Sequence, residues 1–214
     1  EAQGRGYPTA AGPVPIVPAL AIFDLLESRV TRPGAAEGRE AAVAAFGDGA
    51  PVTGRVGVGR GATVGKWRGR EHAVPGGLGA AAVPVDGAQV VAVAVVNAVG
   101  DVVADDGRVI AGTTAPPGTP AFPADRPFEE GAARSNTTLA VVATDARLDK
   151  AGCHLVAQSA HDGMSRSIRP AHTRYDGDVV VALATGAAEA NLDRVREAAA
   201  DAVAAAVRSA VGGG

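Results

Sequence analysis

With 214 residues, 47% of them apolar and 20% charged, the chain is long enough to bury one well-packed domain and does not require two. A net charge of −3 and the dispersal of its 20 Lys and Arg exclude the basic footprint of a nucleic-acid binder. The single cysteine, Cys153, excludes an internal disulfide framework, and no apolar run approaches the roughly 20 residues needed to cross a bilayer. EAQGRGYPTA has no basic stretch leading into an apolar core, so no secretory signal is read there and a reducing, cytoplasmic setting is expected. With 29 Gly, 14 Pro and 3% aromatic residues, the core must be built from Ala and Val, which permits close backbone packing.

In chain order, a Pro-rich entry leads to PALAIFDLLESR (18–29), where Leu20, Phe23 and Leu26 recur at helical spacing. REAAVAAFGDG (39–49) reads as a second short helix stopped by Gly47 and Gly49. Alternating Gly and Val in GRVGVGRGATVGKWRG (54–69) predicts strands or loops with close backbone approaches. Two Val-rich runs between 80 and 103 flank Asp86–Gly87, a hairpin signal. Pro, Thr and Gly between 112 and 130 predict an exposed loop. A strand LAVVAT follows, then a helix from about Asp149 to Ser167, a buried strand DGDVVVALATG (176–186), and a closing amphipathic helix that runs into three glycines. The order implies a mixed α/β domain with layered sheets and no internal repeat.

Few motifs survive inspection. Gly65–Lys66 resembles the end of a phosphate loop, but position 60 is Arg where Gly is needed and Trp67 stands where Ser or Thr is needed. The glycines there are better explained by packing. His72, His154, His161 and His172 have no metal-site spacing, and His161 reads as a hydrogen-bonding residue near a helix end. Cys153 reads as a small buried hydrophobe, and no cofactor or metal is expected.

RSNTTLAVVATDA (134–146) is the informative stretch, because Asn136, Thr137 and Thr138 stand where a long loop meets a strand. Asn-x-Thr matches a glycosylation acceptor, but the expected compartment makes that match accidental. A turn closing the loop is a second reading. The third is a nucleophile: were the bond before Thr137 cut, the freed α-amine, with an ordinary pKa of about 7.7–8.0, could take the hydroxyl proton.

SNTTLAVVATDA followed by AHDGMSRSIRPAHTRYDGDVVVALATG resembles the L-aminopeptidase/D-esterase family of self-cleaving, N-terminal-nucleophile-type hydrolases, which includes β-peptidyl aminopeptidases. GRGYPTAAGPVPIVPALAIFDL, GATVGKWRG, PGGLGAAAV and VVNAVGDV resemble family segments in the same order, so the similarity spans nearly the whole chain.

The resemblance implies an α/β fold arranged as a four-layer α/β/β/α sandwich, like N-terminal nucleophile hydrolases but differently connected. It also implies an autocleavage site at Asn136–Thr137, Thr137 as nucleophile and Asn97 as an oxyanion-hole donor. Asp176 and Asp178 match the positions where other members carry a hydroxyl or acidic pair near the nucleophile, although a plain Asp–Gly turn explains them equally well. Residues 1–214 would form one hydrolase domain, 1–136 being the C-terminal part of an α chain and 137–214 a β chain. Members carry a further N-terminal part before the point where this chain starts. The expected partners are a small peptide or amide substrate and further copies of the chain, commonly in a tetramer, with no nucleic acid and no membrane. Two alternatives are acyl transfer of the ornithine acetyltransferase type and an uncut, non-catalytic relative.

Overall fold

The computed structural model describes residues 6–25, 32–47, 49–122 and 136–212. Helix α1 (Ala35–Ala45) comes first, then a two-stranded ribbon of β1 (Thr63–Val64) and β2 (Val74–Pro75). The hairpin β3 (Gly77–Val85) and β4 (Ala88–Asn97) follows, with β5 (Asp101–Val103) and β6 (Val109–Ala111). The last part holds β7 (Thr137–Ala146), α2 (Lys150–Ser167), β8 (Ile168–Arg169), β9 (Val179–Ala188) and α3 (Leu192–Ser209). The main sheet runs β3-β4-β7-β9, antiparallel except for the parallel β7–β9 pair, and a smaller sheet runs β6-β5-β8.

Local chemistry explains these elements. Asp86 and Gly87 take φ of 50° and 81°, the left-handed pair that a two-residue hairpin turn of the favoured twist demands. Asp149 caps α2 by accepting from the Gly152 N–H at 2.7 Å, and Asn191 caps α3 by accepting from the N–H groups of Asp193 and Arg194. Even-numbered residues of β4 and β7, from Ala88 to Val96 and from Thr138 to Ala146, are buried under α2 and α3. Odd-numbered residues point to the other face, where Val141 is exposed.

The helices sit unusually close to their neighbours because glycines let them. A Cβ at Gly79 of β3 would overlap the Ala206 carbonyl of α3, and one at Gly163 of α2 would overlap the Ala200 carbonyl. Among the described residues the core is accordingly a layer of Val and Ala, with Met164 and Ile168 among its few larger side chains.

Five expectations need correction. Residues 18–25 are not helical, since Pro13, Pro15 and Pro18 hold the entry extended and the Phe23 carbonyl is engaged by the Asn97 side chain; residues 26–29 lie outside the described residues. The second helix starts at Ala35, where Glu37 accepts from the Gly34 N–H, and none of its residues is buried. β9 is not a buried strand: it is the sheet edge, and Leu183 is exposed. Cys153 is only half-buried, and His161 lies a turn and a half inside α2 rather than at its end. No helix among the described residues is long and apolar enough to cross a membrane.

Candidate functional site

The site is assembled where β4 ends and β7 begins. In the antiparallel ladder Asn97 and Thr137 are direct partners, so their side chains leave the same face of the sheet, about 5 Å apart at Cβ. Thr138, one residue on, points to the helix side and is fully buried, with no hydrogen-bond partner for its hydroxyl among the described residues.

The Asn136–Thr137 peptide is held from several directions. Asn136 is completely buried and bridges Asp176 in parallel register. Its carbonyl oxygen accepts from the Gly177 N–H at 2.8 Å and from the Thr137 hydroxyl at 2.6 Å. The Asn136 side-chain amide reaches the Tyr175 carbonyl at 3.4 Å. The hydroxyl of Thr137 therefore rests against the one peptide bond whose cleavage the sequence raised.

Asn97 is fixed by an unforeseen partner. Lys66 is 1% exposed, and its Nζ donates to the Asn97 Oδ1 at 2.9 Å and to the Asn97 backbone carbonyl at 3.3 Å. A lysine ammonium only donates, so the contact forces the amide oxygen toward Lys66 and the NH2 the other way. The Thr63 N–H at 3.1 Å adds to the same oxygen, while the Asn97 Nδ2 donates to the Phe23 carbonyl at 3.3 Å. The lysine that failed as a phosphate-loop residue is thus an orienting group for Asn97. One signal could have found it: the chain has just two lysines, Lys66 and Lys150, among its 20 basic residues.

The two acids come from the segment that leads into β9, beside the start of β7. Asp178 Oδ1 accepts the Thr138 N–H at 2.7 Å, and its Oδ2 meets His172 Nδ1 at 2.7 Å. Asp176 accepts from the Val99 N–H at 3.1 Å and from the Thr173 N–H and hydroxyl, closing the loop that carries it. Burial pushes the Asp176 carboxyl above its ordinary value, against the Thr173 hydrogen bonds. The Asp–Gly turn and the place beside Thr137 are therefore one and the same, because the turn delivers both carboxylates and the Gly177 N–H. The sequence alone assigns no place here to Gly177, Lys66 or His172, since their contacts depend on which strands become neighbours.

Among the described residues no group of three or more His, Cys, Asp or Glu could hold a metal ion. Gly65 brings its backbone against Thr113, with a φ of 77° that favours glycine, in keeping with a packing role.

Residues 4–213 match Peptidase family S58. The chain belongs to that family. An uncharacterized aminopeptidase of Mycobacterium leprae is 41% identical over 206 residues, which cover 89% of this chain and 55% of the relative. A 6-aminohexanoate-oligomer endohydrolase of Agromyces is 30% identical over 190 residues, 84% of this chain and 52% of the relative. The chain thus spans about half the length of these curated relatives.

Two solved structures share the fold. The L-aminopeptidase D-Ala-esterase/amidase of Ochrobactrum anthropi, described as a variant among the Ntn hydrolase fold, matches with a TM-score of 0.55 at 23% identity, covering 77% of this chain and 46% of that one. A Burkholderia β-aminopeptidase matches with a TM-score of 0.57 at 24% identity, covering 80% of this chain and 49% of that one. The α/β fold expected for family S58 is the one found, and α2 and α3 on the β3-β4-β7-β9 sheet supply its helix-on-sheet layering.

Proposed function

We propose that this chain is the nucleophile-bearing part of a self-processing hydrolase that cuts small peptides or amides, with Thr137 as nucleophile. The observation that carries this reading is the Thr137 hydroxyl, 2.6 Å from the carbonyl oxygen of Asn136 and opposite Asn97 in the strand register. The names of the relatives agree on the class of bond, since an aminopeptidase and an oligoamide endohydrolase both break amides.

Self-cleavage would proceed by attack of the Thr137 Oγ on the Asn136 carbonyl carbon. Negative charge develops on the carbonyl oxygen, where the Gly177 N–H already donates. The C–N bond breaks, the hydroxyl proton ends on the departing amine of Thr137, and an ester links Asn136 to Oγ. Water hydrolyses the ester, leaving residues up to Asn136 as one chain and Thr137–Gly214 as another.

Turnover repeats the chemistry on a substrate amide. The α-amine of Thr137 takes the hydroxyl proton, Oγ attacks the substrate carbonyl, and the amine returns the proton to the leaving nitrogen. Asn97 Nδ2 donates to the developing oxyanion; the acceptor it holds in this structure, the Phe23 carbonyl, is an oxygen of the same kind. Lys66 keeps that amide from flipping. Asp178 holds the Thr138 N–H, so the residue after the nucleophile cannot drift.

Intact mass spectrometry tests the reading directly. The unsubstituted protein should give two fragments meeting at Asn136–Thr137, and Thr137→Ala should give one uncut chain with no amidase activity. Two fragments from Thr137→Ala would exclude Thr137 as the nucleophile.

A further inference from the structure

The sequence alone gives His172 no role, yet it occupies a constrained place. Its backbone φ is 52°, in the left-handed region that a side-chain-bearing residue adopts only when its surroundings insist. Both ring nitrogens face acceptors: Nδ1 meets the Asp178 carboxylate at 2.7 Å, and Nε2 meets the backbone carbonyl of His161 at 3.4 Å. Neither partner can donate, so the arrangement is satisfied in full only when both nitrogens carry hydrogens, in the imidazolium form.

Asp178 is the second link. Its side chain is 6% exposed, and its two oxygens do different work: one receives His172, the other the Thr138 N–H at 2.7 Å. A buried carboxylate with one oxygen released could rotate and let go of the strand end. We propose that His172 is a positioning residue for Thr137: its imidazolium, anchored on α2 through His161, clamps Asp178 in the orientation that grips the Thr138 N–H. No group of His172 need touch the reacting atoms.

The surrounding charges are consistent with this form. The Asp178 hydrogen bond holds the His172 ring above the ordinary imidazole value despite its partial burial, and Asp176 acts in the same sense. From α2, His161 lies with its ring centre 5.0 Å away and is held below its ordinary value by burial and by His172; Asp162 and Asp178 act on it the other way. Of the two histidines, His172 therefore keeps its proton to the higher pH.

The effect on self-cleavage rests on Thr137 being the nucleophile, but the clamp itself does not, and two measurements keep them apart. In the full chain carrying Thr137→Ala, NMR should show the Thr138 amide proton and the His172 ring titrating with one midpoint. Adding His172→Asn, which keeps a donor near the Nδ1 position and tolerates positive φ, should leave the Thr138 amide flat across the histidine range. In the otherwise unsubstituted chain, His172→Gly, which relieves the backbone but removes the donor, should slow self-cleavage by up to about 100-fold. The unsubstituted rate should fall as pH rises and His172 loses its proton, and His172→Asn should recover most of the rate without that fall. A Thr138 amide indifferent to His172 titration would overturn the clamp, as would a His172→Gly chain cleaving at the unsubstituted rate with an unchanged pH profile. If the unsubstituted chain does not cut itself, the nucleophile assignment fails while the NMR result still decides the clamp.

Discussion

Gly163→Ala sets two sizeable effects against each other at one atom. Gly163 lies inside α2, where replacing glycine by alanine ordinarily stabilises a helix by about 1 kcal/mol. At this position the new methyl would overlap the Ala200 carbonyl oxygen and press on the Ala204 N and the Val203 Cβ, each at 3.0 Å. Two of those three atoms are backbone, so relief requires α3 to move away from α2, and overpacking of this kind costs about 1–3 kcal/mol. Contact with backbone takes the cost toward the upper end of that range, so the overlap wins, with a net loss of up to roughly 2 kcal/mol and a melting temperature a few degrees lower for a chain of this size. Gly38→Ala is the matched control, since Gly38 lies in exposed α1 with nothing within 4 Å of a new Cβ. It should leave the midpoint unchanged or slightly raised. Thermal unfolding followed by circular dichroism is sufficient, and a Gly163→Ala chain melting at or above the unsubstituted one would refute the close-packing account of these helices.

Asn97→Ala should lower amidase turnover by about 100- to 1000-fold, the usual cost of one oxyanion donor. Lys66→Met should lower it too, but should cost little more in an Asn97→Ala background, because Lys66 acts through Asn97; independent losses in the double variant would contradict that. Asp149→Ala removes the α2 cap and should cost about 1 kcal/mol in chemical denaturation. For His172, the raised ring value places its stabilising contribution in full below the ordinary imidazole value of about 6.5 and withdraws it as pH rises through the folded value. The melting-temperature gap between the unsubstituted chain and His172→Ala should therefore narrow on the alkaline side; a gap that widened would reverse the assignment.

Elements with strong local signals were legible in advance. Asp86–Gly87 named the hairpin, the helices expected from about Asp149 to Ser167 and at the end of the chain located α2 and α3, and the polar step into LAVVAT marked β7. The Thr137–Asn97 partnership was reachable only through family resemblance, because nothing local ties two residues 40 positions apart. PALAIFDL misled for the converse reason: its helical spacing is real, but the prolines before it and a tertiary hydrogen bond at Phe23 override the local preference. Lys66 and His172 lie in segments that resemble the family, but their roles were not readable there, since each acts through partners that only the fold brings near.

The strand order β3-β4-β7-β9 has a bearing on the molecularity of unfolding. A cut at Asn136–Thr137 would leave β7 with its own fragment's β9 on one side and the other fragment's β4 on the other, beneath an α3 that packs on β3. The severed pieces would stay interleaved, and separating them would mean dismantling the sheet. Folding of the uncut chain is unimolecular, whereas reassembly of the cut one would be second order. The midpoint of the cut protein would then rise with its concentration, and scission would make denaturation at low concentration effectively a one-way step.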